Sequence, residues 1–216
     1  MAGTNATPPG TTRVWLLRHA ETADPTVFHG AESDIGLSER GRRQAALLAP
    51  YLAALGPTAV ISSGMLRARL TATPIAEACG LPLQVEPDLH ERRVGALSGT
   101  SLQLSDGIYA ATVARWMAGD TSFTSSGAES FDAIRLRVLP VWQRLAENHA
   151  GQSVVVVAHG VVCKVLLTSL GVGLSPADWK QIGPIHNLAI HELVQAPAGW
   201  QLVRLNDLPA VLRADA

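Results

Sequence analysis

Two arginines and two histidines stand where short apolar runs give out. Residues 14–17 run into Arg18-His19, residues 58–62 lead through Ser62-Ser63 to Arg67, and residues 153–158 end at His159. Arginine presents a planar fork of donors that matches phosphate oxygens. Histidine is a nucleophile when neutral and a donor when protonated. The set reads as phosphoryl binding and transfer. No P-loop glycine pattern, aspartate pair or metal-ligand cluster is present to do that work otherwise.

The elements around these residues alternate between strand and helix. The apolar run 14–17 reads as a buried strand opening into a loop. Ser38 is placed to cap a helix over 39–55, stopped by Gly56-Pro57. A second strand over 58–62 precedes a helix over 65–79, in which Pro74 predicts a kink or break before Gly80. Residues 83–85 form a third short strand. A long helix over 129–148 repeats Phe131, Ile134, Val138, Val141 and Leu145 at three- and four-residue steps, the spacing of one buried stripe. The run 153–158, SVVVVA, is apolar on both faces and belongs at the centre of a sheet. A helix follows it to residue 170, and 188–194 with 201–205 close the sheet as a hairpin. This order predicts an α/β fold, a three-layer sandwich with a mostly parallel central sheet flanked by helices. In such a sheet ligands bind beyond the carboxyl ends of the strands, so the four side chains are expected to converge.

The chain has 216 residues, 47% of them apolar and 16% charged, which excludes disorder and suits one domain with a core. Residues 1–11 are expected to be a flexible tail, 12–208 a single domain with an inserted cap at about 88–127, and 209–216 a second tail. The cap is punctuated by glycines and carries a helix near 109–117. The net charge of -1 gives no bulk attraction to nucleic acid or membranes, and neither is expected as a partner. The start lacks the basic and apolar regions of a secretory signal, and the apolar run 153–170 is interrupted by His159, Gly160 and Lys164. Cys79 and Cys163, both in helical segments, read as buried reduced thiols, which fits a cytoplasmic location.

Four signatures in order make the chain similar to the histidine phosphatase superfamily, the phosphoglycerate-mutase-like family. They are LLRHAET (16–22), SSGMLRARLTA (62–72), LHERRVGALSG (89–99) and VVAHG (156–160), with Phe28, Gly30, Leu37, Ser38, Gly41, Gln44 and Ala45 matching between the first two. The resemblance covers residues 13–205. It implies that His19 attacks phosphorus and becomes a phosphohistidine while Arg18, Arg67 and His159 hold the equatorial oxygens. It gives Glu91 the role of acid, then base, although Glu91-Arg92-Arg93 alone would read as a charged loop. It places Asn187 near the pocket. No cofactor and no metal are implied, the substrate is a small phosphorylated metabolite, and a homodimer is possible.

Departures from the family pattern bear on the phosphate. Ala20 replaces a commoner glycine and is tolerable if its φ is negative. Pro25 stands where many relatives have an asparagine, and Thr22 is the candidate replacement donor. The segment between Thr100 and Gly127 carries only Arg115 as a cation, so the grip that a mutase uses on a doubly anionic substrate is missing there, and Arg92 and Arg93 are left as candidates to serve a second anionic group. This favours a metal-independent phosphomonoesterase over the alternative, a cofactor-dependent phosphoglycerate mutase. A non-catalytic phosphoryl-binding protein ranks third, because nucleophile and acid are both present. Arg69, His29, His90 and His149 read as surface residues, Glu21 as a structural partner, and Tyr109 and Trp116 as cap core. His186 and His191, set on opposite faces of a strand, do not suggest a metal site.

Overall fold

The computed structural model describes residues 10–125 and 127–213, with the backbone alone for 103–106. Most of the expected N-terminal tail and Ser126 lie outside the described residues. Six strands form one sheet: β1 (Thr12–Arg18), β2 (Ala59–Ser63), β3 (Leu83–Glu86), β4 (Ser153–Ala158), β5 (Ile190–Ala196) and β6 (Gly199–Asp207). Their spatial order is β3-β2-β4-β1-β5-β6. The first four neighbours run parallel, and β5 and β6 are added antiparallel. The helices are α1 (Glu39–Ala53), α2 (Leu66–Cys79), α3 (Leu102–Met117), α4 (Phe131–Asn148), α5 (Gly160–Leu167) and the short α6 (Trp179–Ile182) and α7 (Ala210–Arg213).

Strand alternation divides the core into two layers. Val14, Leu16, Val154 and Val156 face α4 and α5 on one side of the sheet. Trp15, Leu17, Val155 and Val157 face α1 and α2 on the other. Every residue of the expected α4 stripe is buried. Ser38 caps α1 by accepting from the Gly41 amide at 2.8 Å. Pro74 does not break α2, which runs continuously through it. Residues 210–213, in the stretch expected as a tail, form a helical turn that buries Leu212 in the α1–α2 layer.

Residues 88–113 supply part of a cavity wall at the carboxyl end of the sheet. They are laced to the loop after β1 by backbone hydrogen bonds from Phe28 to Thr100 (2.8 Å) and from Gly99 to Phe28 (2.9 Å). The Phe28 and Tyr109 rings add a contact at 5.9 Å. Among the described residues no helix is long and apolar enough to cross a membrane.

Candidate active site

β4 lies between β2 and β1, so the carboxyl ends of three strands meet in one place. His19 follows β1 and His159 follows β4, and their rings are 5.2 Å apart. Both are buried, as is Arg67 on the first turn of α2. The loop of residues 30–34 positions Arg67. Its carbonyls at Ser33 and Gly30 accept from Nη1 (2.7 Å) and Nη2 (3.3 Å), and Asp34 accepts from the amide of Leu66 at the start of α2. Arg18 donates from Nη1 to the carbonyl of Ile185 at 2.7 Å. The Nε atoms of Arg18 and Arg67 are buried without a partner. Neither guanidinium forms an ion pair among the described residues, so their charge is free for an incoming anion.

The tautomer of His19 follows from one contact. His19 Nδ1 lies 2.7 Å from the carbonyl of Ala20, which can only accept. Nδ1 therefore carries the hydrogen, and Nε2 keeps its lone pair. Burial first, then the charges of Arg18 and Arg67, push the His19 pKa well below the usual 6.5, so the ring is neutral at neutral pH. His159 is pushed down likewise, by burial and then by Arg67. Its Nε2 is 2.8 Å from Ser63 Oγ, and its Nδ1 is buried with no partner.

Glu91 is buried, and its carboxylate accepts from the amides of Arg92 (2.8 Å) and Val161 (3.3 Å). Its electrostatic influence reaches Arg18 and Arg67. Asn187 donates from Nδ2 to the carbonyl of His19 at 2.8 Å. Beside it Leu188, at φ 61°, donates to the carbonyl of Arg18 at 3.0 Å. Thr22 reaches the cavity wall, but its hydroxyl donates to the carbonyl of Asp24 at 3.2 Å. Pro25 is on the same wall. Ala20 is absent from the positive-φ residues, so the departure from glycine costs the loop nothing. Glu21 accepts from the Ser38 hydroxyl at 2.7 Å, the structural role expected of it.

A cavity of about 610 Å³ opens in front of these groups. Arg18, His19, Thr22, Glu91 and Asn187 line it, whereas Arg67 and His159 lie behind that lining. Sequence reasoning missed several of its residues. Lys164 of α5 and Lys180 of α6 line the cavity, and Arg92, considered for a second anionic group, is fully buried on its wall rather than in a solvated loop. His29, read as a surface residue, lines the cavity and contacts Ser33 Oγ and the Asp24 carbonyl. Tyr109 is a cavity wall, and Trp116 is core as expected. No cluster of three His, Cys, Asp or Glu ligands occurs among the described residues. His186 precedes β5, and Glu192, beside the buried His191, is held by Arg13 and Arg204. Of the two free thiols only Cys163 is fully buried.

The chain belongs to the histidine phosphatase superfamily (branch 1), whose family model matches residues 14–208. It is 37% identical to the bifunctional protein Rv2228c of Mycobacterium tuberculosis over 168 residues, 76% of this chain and 45% of that protein. The chain thus spans about half the length of that relative. It is 36% identical to the metal-independent phosphoserine phosphatase of Arabidopsis thaliana over 72% of this chain and 67% of that one. Its structure is similar to a mycobacterial glucosyl-3-phosphoglycerate phosphatase, with a TM-score of 0.80, 27% identity, and coverage of 92% of this chain and 100% of that chain.

Proposed function

We propose that this chain is a metal-independent phosphomonoester hydrolase that acts on small phosphorylated metabolites through a phosphohistidine. The observation that carries the reading is the pair of buried imidazoles 5.2 Å apart, within the field of two guanidinium groups that have no carboxylate partner. His19 Nε2 attacks phosphorus in line. The ester P–O bond breaks, and Glu91 gives its proton to the departing alkoxide. Water then attacks phosphorus, the P–N bond breaks, and the proton of the water returns to Glu91. Arg18, Arg67 and the free Nδ1–H of His159 hold the phosphoryl oxygens, and Asn187 fixes the backbone of His19. Thr22 adds a contact if its hydroxyl turns from Asp24. The relatives named as phosphatases support hydrolysis over mutase chemistry. The reduced thiols support a cytoplasmic location, and the resemblance alone supports a homodimer.

The test is release of phosphate from p-nitrophenyl phosphate in the presence of EDTA, with trapping of an acid-labile phosphoenzyme. Parent-like activity in His19→Ala ends the phosphohistidine reading. Rapid interconversion of 2- and 3-phosphoglycerate primed by the bisphosphate, with little free phosphate, establishes the mutase instead.

A further inference from the structure

The loop of residues 183–188 is bonded both to Arg18-His19 and to the edge strand β6. The carbonyl of Ile185 accepts from Arg18 Nη1 at 2.7 Å, the one hydrogen bond of that side chain among the described residues. Asn187 Nδ2 and the Leu188 amide donate to the carbonyls of His19 and Arg18. From β6, Asn206 grips the same loop twice. Its Nδ2 donates to the carbonyl of Pro184 at 2.8 Å, and its Oδ1 accepts from the amide of His186 at 3.2 Å. A carbonyl only accepts and an amide N–H only donates, so both partners dictate the same orientation of the Asn206 side chain. The two gripped groups flank Ile185 in the chain, and the carbonyl that orients Arg18 lies between them. Pro184, Ile185 and Asn187 line the cavity, but Asn206 does not.

A fault in strand pairing gives Asn206 this reach. Between the pairs Ile190–Asp207 and Glu192–Arg204, β5 advances two residues and β6 three, so Leu205 and Asn206 together oppose His191. Such a bulge turns a side chain out of the strand's alternation. Asn206 has φ 51°, in the left-handed region that asparagine enters more readily than most side chains. Its amide is met by the buried ring of His191, whose Nδ1 accepts at 3.0 Å. Burial lowers the His191 pKa to about 4, so that lone pair is kept at neutral pH. His191 Nε2 has no partner among the described residues, a cost that an apolar residue in that place would avoid. The pinned bulge is what the imidazole supplies in return.

We propose that Asn206, out of reach of substrate, is a positioning residue for phosphoryl binding: on a bulge pinned by His191, it holds residues 184–186 so that the Ile185 carbonyl keeps the Arg18 guanidinium aimed at the phosphoryl group. A long flexible arginine takes many rotamers, and a slack carbonyl leaves its planar fork misaligned with the oxygens. The inference rests on the phosphoryl site proposed above, and on hydrolysis only for turnover.

The test is a double-variant cycle. Asn206→Gly removes both side-chain bonds, keeps the amide for His191 and suits the positive φ, so the bulge survives. Arg18→Met removes the group through which the effect must pass. The affinity for inorganic phosphate is read by calorimetry and by the rise in melting temperature, in the parent, both single variants and the double variant. Asn206→Gly binds phosphate about fivefold more weakly than the parent, and kcat/KM for p-nitrophenyl phosphate falls by about the same factor. In the Arg18→Met background the same substitution weakens binding about twofold or less, because the group it positions is gone. An asparagine that merely supports the fold lowers the melting temperature and acts equally in both backgrounds, and that result overturns the proposal. So does a phosphate affinity undiminished in Asn206→Gly, or a parent that binds no phosphate. Phosphate binding that follows the cycle, without any hydrolysis of the ester, sinks only the hydrolytic reading.

Discussion

Ser63 Oγ and His159 Nε2 are 2.8 Å apart, a contact between the end of β2 and the end of β4 with no opening to solvent. Ser63 Oγ also accepts from the amide of Met65 at 3.3 Å, and with no other acceptor in reach among the described residues its hydroxyl hydrogen goes to the imidazole. His159 then carries its own hydrogen on Nδ1, the unpartnered atom. Ser63 thereby sets which ring nitrogen can donate to a phosphoryl oxygen. Ser63→Ala releases that choice, and kcat falls about tenfold to a hundredfold with a smaller change in KM. Steady-state kinetics read this directly, and an unchanged kcat refutes the role of Ser63.

His19 and His159 are held neutral by burial and nearby guanidinium groups. In the free protein neither ring resonance titrates through pH 6.5 in an NMR experiment. The sign of the stability effect follows. Below pH 6.5 the unfolded chain takes up protons that the folded chain refuses, so stability is full above 6.5 and is lost as pH falls. His191, buried and lowered to about 4, adds to the same loss. Urea denaturation between pH 7 and 5 measures it, and a flat profile counts against neutral burial.

Gly41 lies in the first turn of α1 against the loop that carries His19. A Cβ there would lie 2.2 Å from the carbonyl oxygen of Glu21, a backbone atom that cannot turn aside. Gly41→Ala should cost about 1–3 kcal/mol in denaturant unfolding and lower kcat through displacement of the loop. Wild-type stability in that variant would show that the loop yields freely.

Lys164 offers a second linkage test. Burial lowers its pKa to about 8 from 10.5. Between those values the unfolded chain holds a proton that the folded chain has released, so the stability of the parent rises with pH there. At pH 7 the ammonium is charged and buried at a cost. Lys164→Met therefore gains about 1–3 kcal/mol at pH 7, and its rise between pH 8 and 10.5 disappears. A variant less stable than the parent removes the cost assigned to this lysine.

The sheet, the long helices and five of the candidate site residues were readable because each had a strong local pattern. SVVVVA could only be a central strand, and Arg18, His19, Arg67, Glu91 and His159 each sit in a recognisable motif. Lys164 was visible only as an interruption in an apolar run. That isolation was itself a signal, since a lone charge in a buried helix must be compensated or used. Arg92 and Arg93 were both candidates for a second anionic group, but the burial of Arg92 alone was not legible, because a charged pair reads the same whether one member is buried or both are solvated. His29 reaches the cavity through the lacing of the β1 loop to residues 99–102, which depends on tertiary contacts that no local pattern encodes.

The arginines of this cavity are all anchored by carbonyl oxygens and none by a carboxylate: Arg18 by Ile185, Arg67 by Ser33 and Gly30, Arg92 by Glu129. Carbonyl dipoles orient a cation without cancelling it. The resting protein thus keeps several arginines without a direct ion pair among the described residues in a secluded place, where inorganic phosphate can also bind. Under the proposed hydrolysis, free phosphate is then expected both to inhibit the protein and to raise its melting temperature.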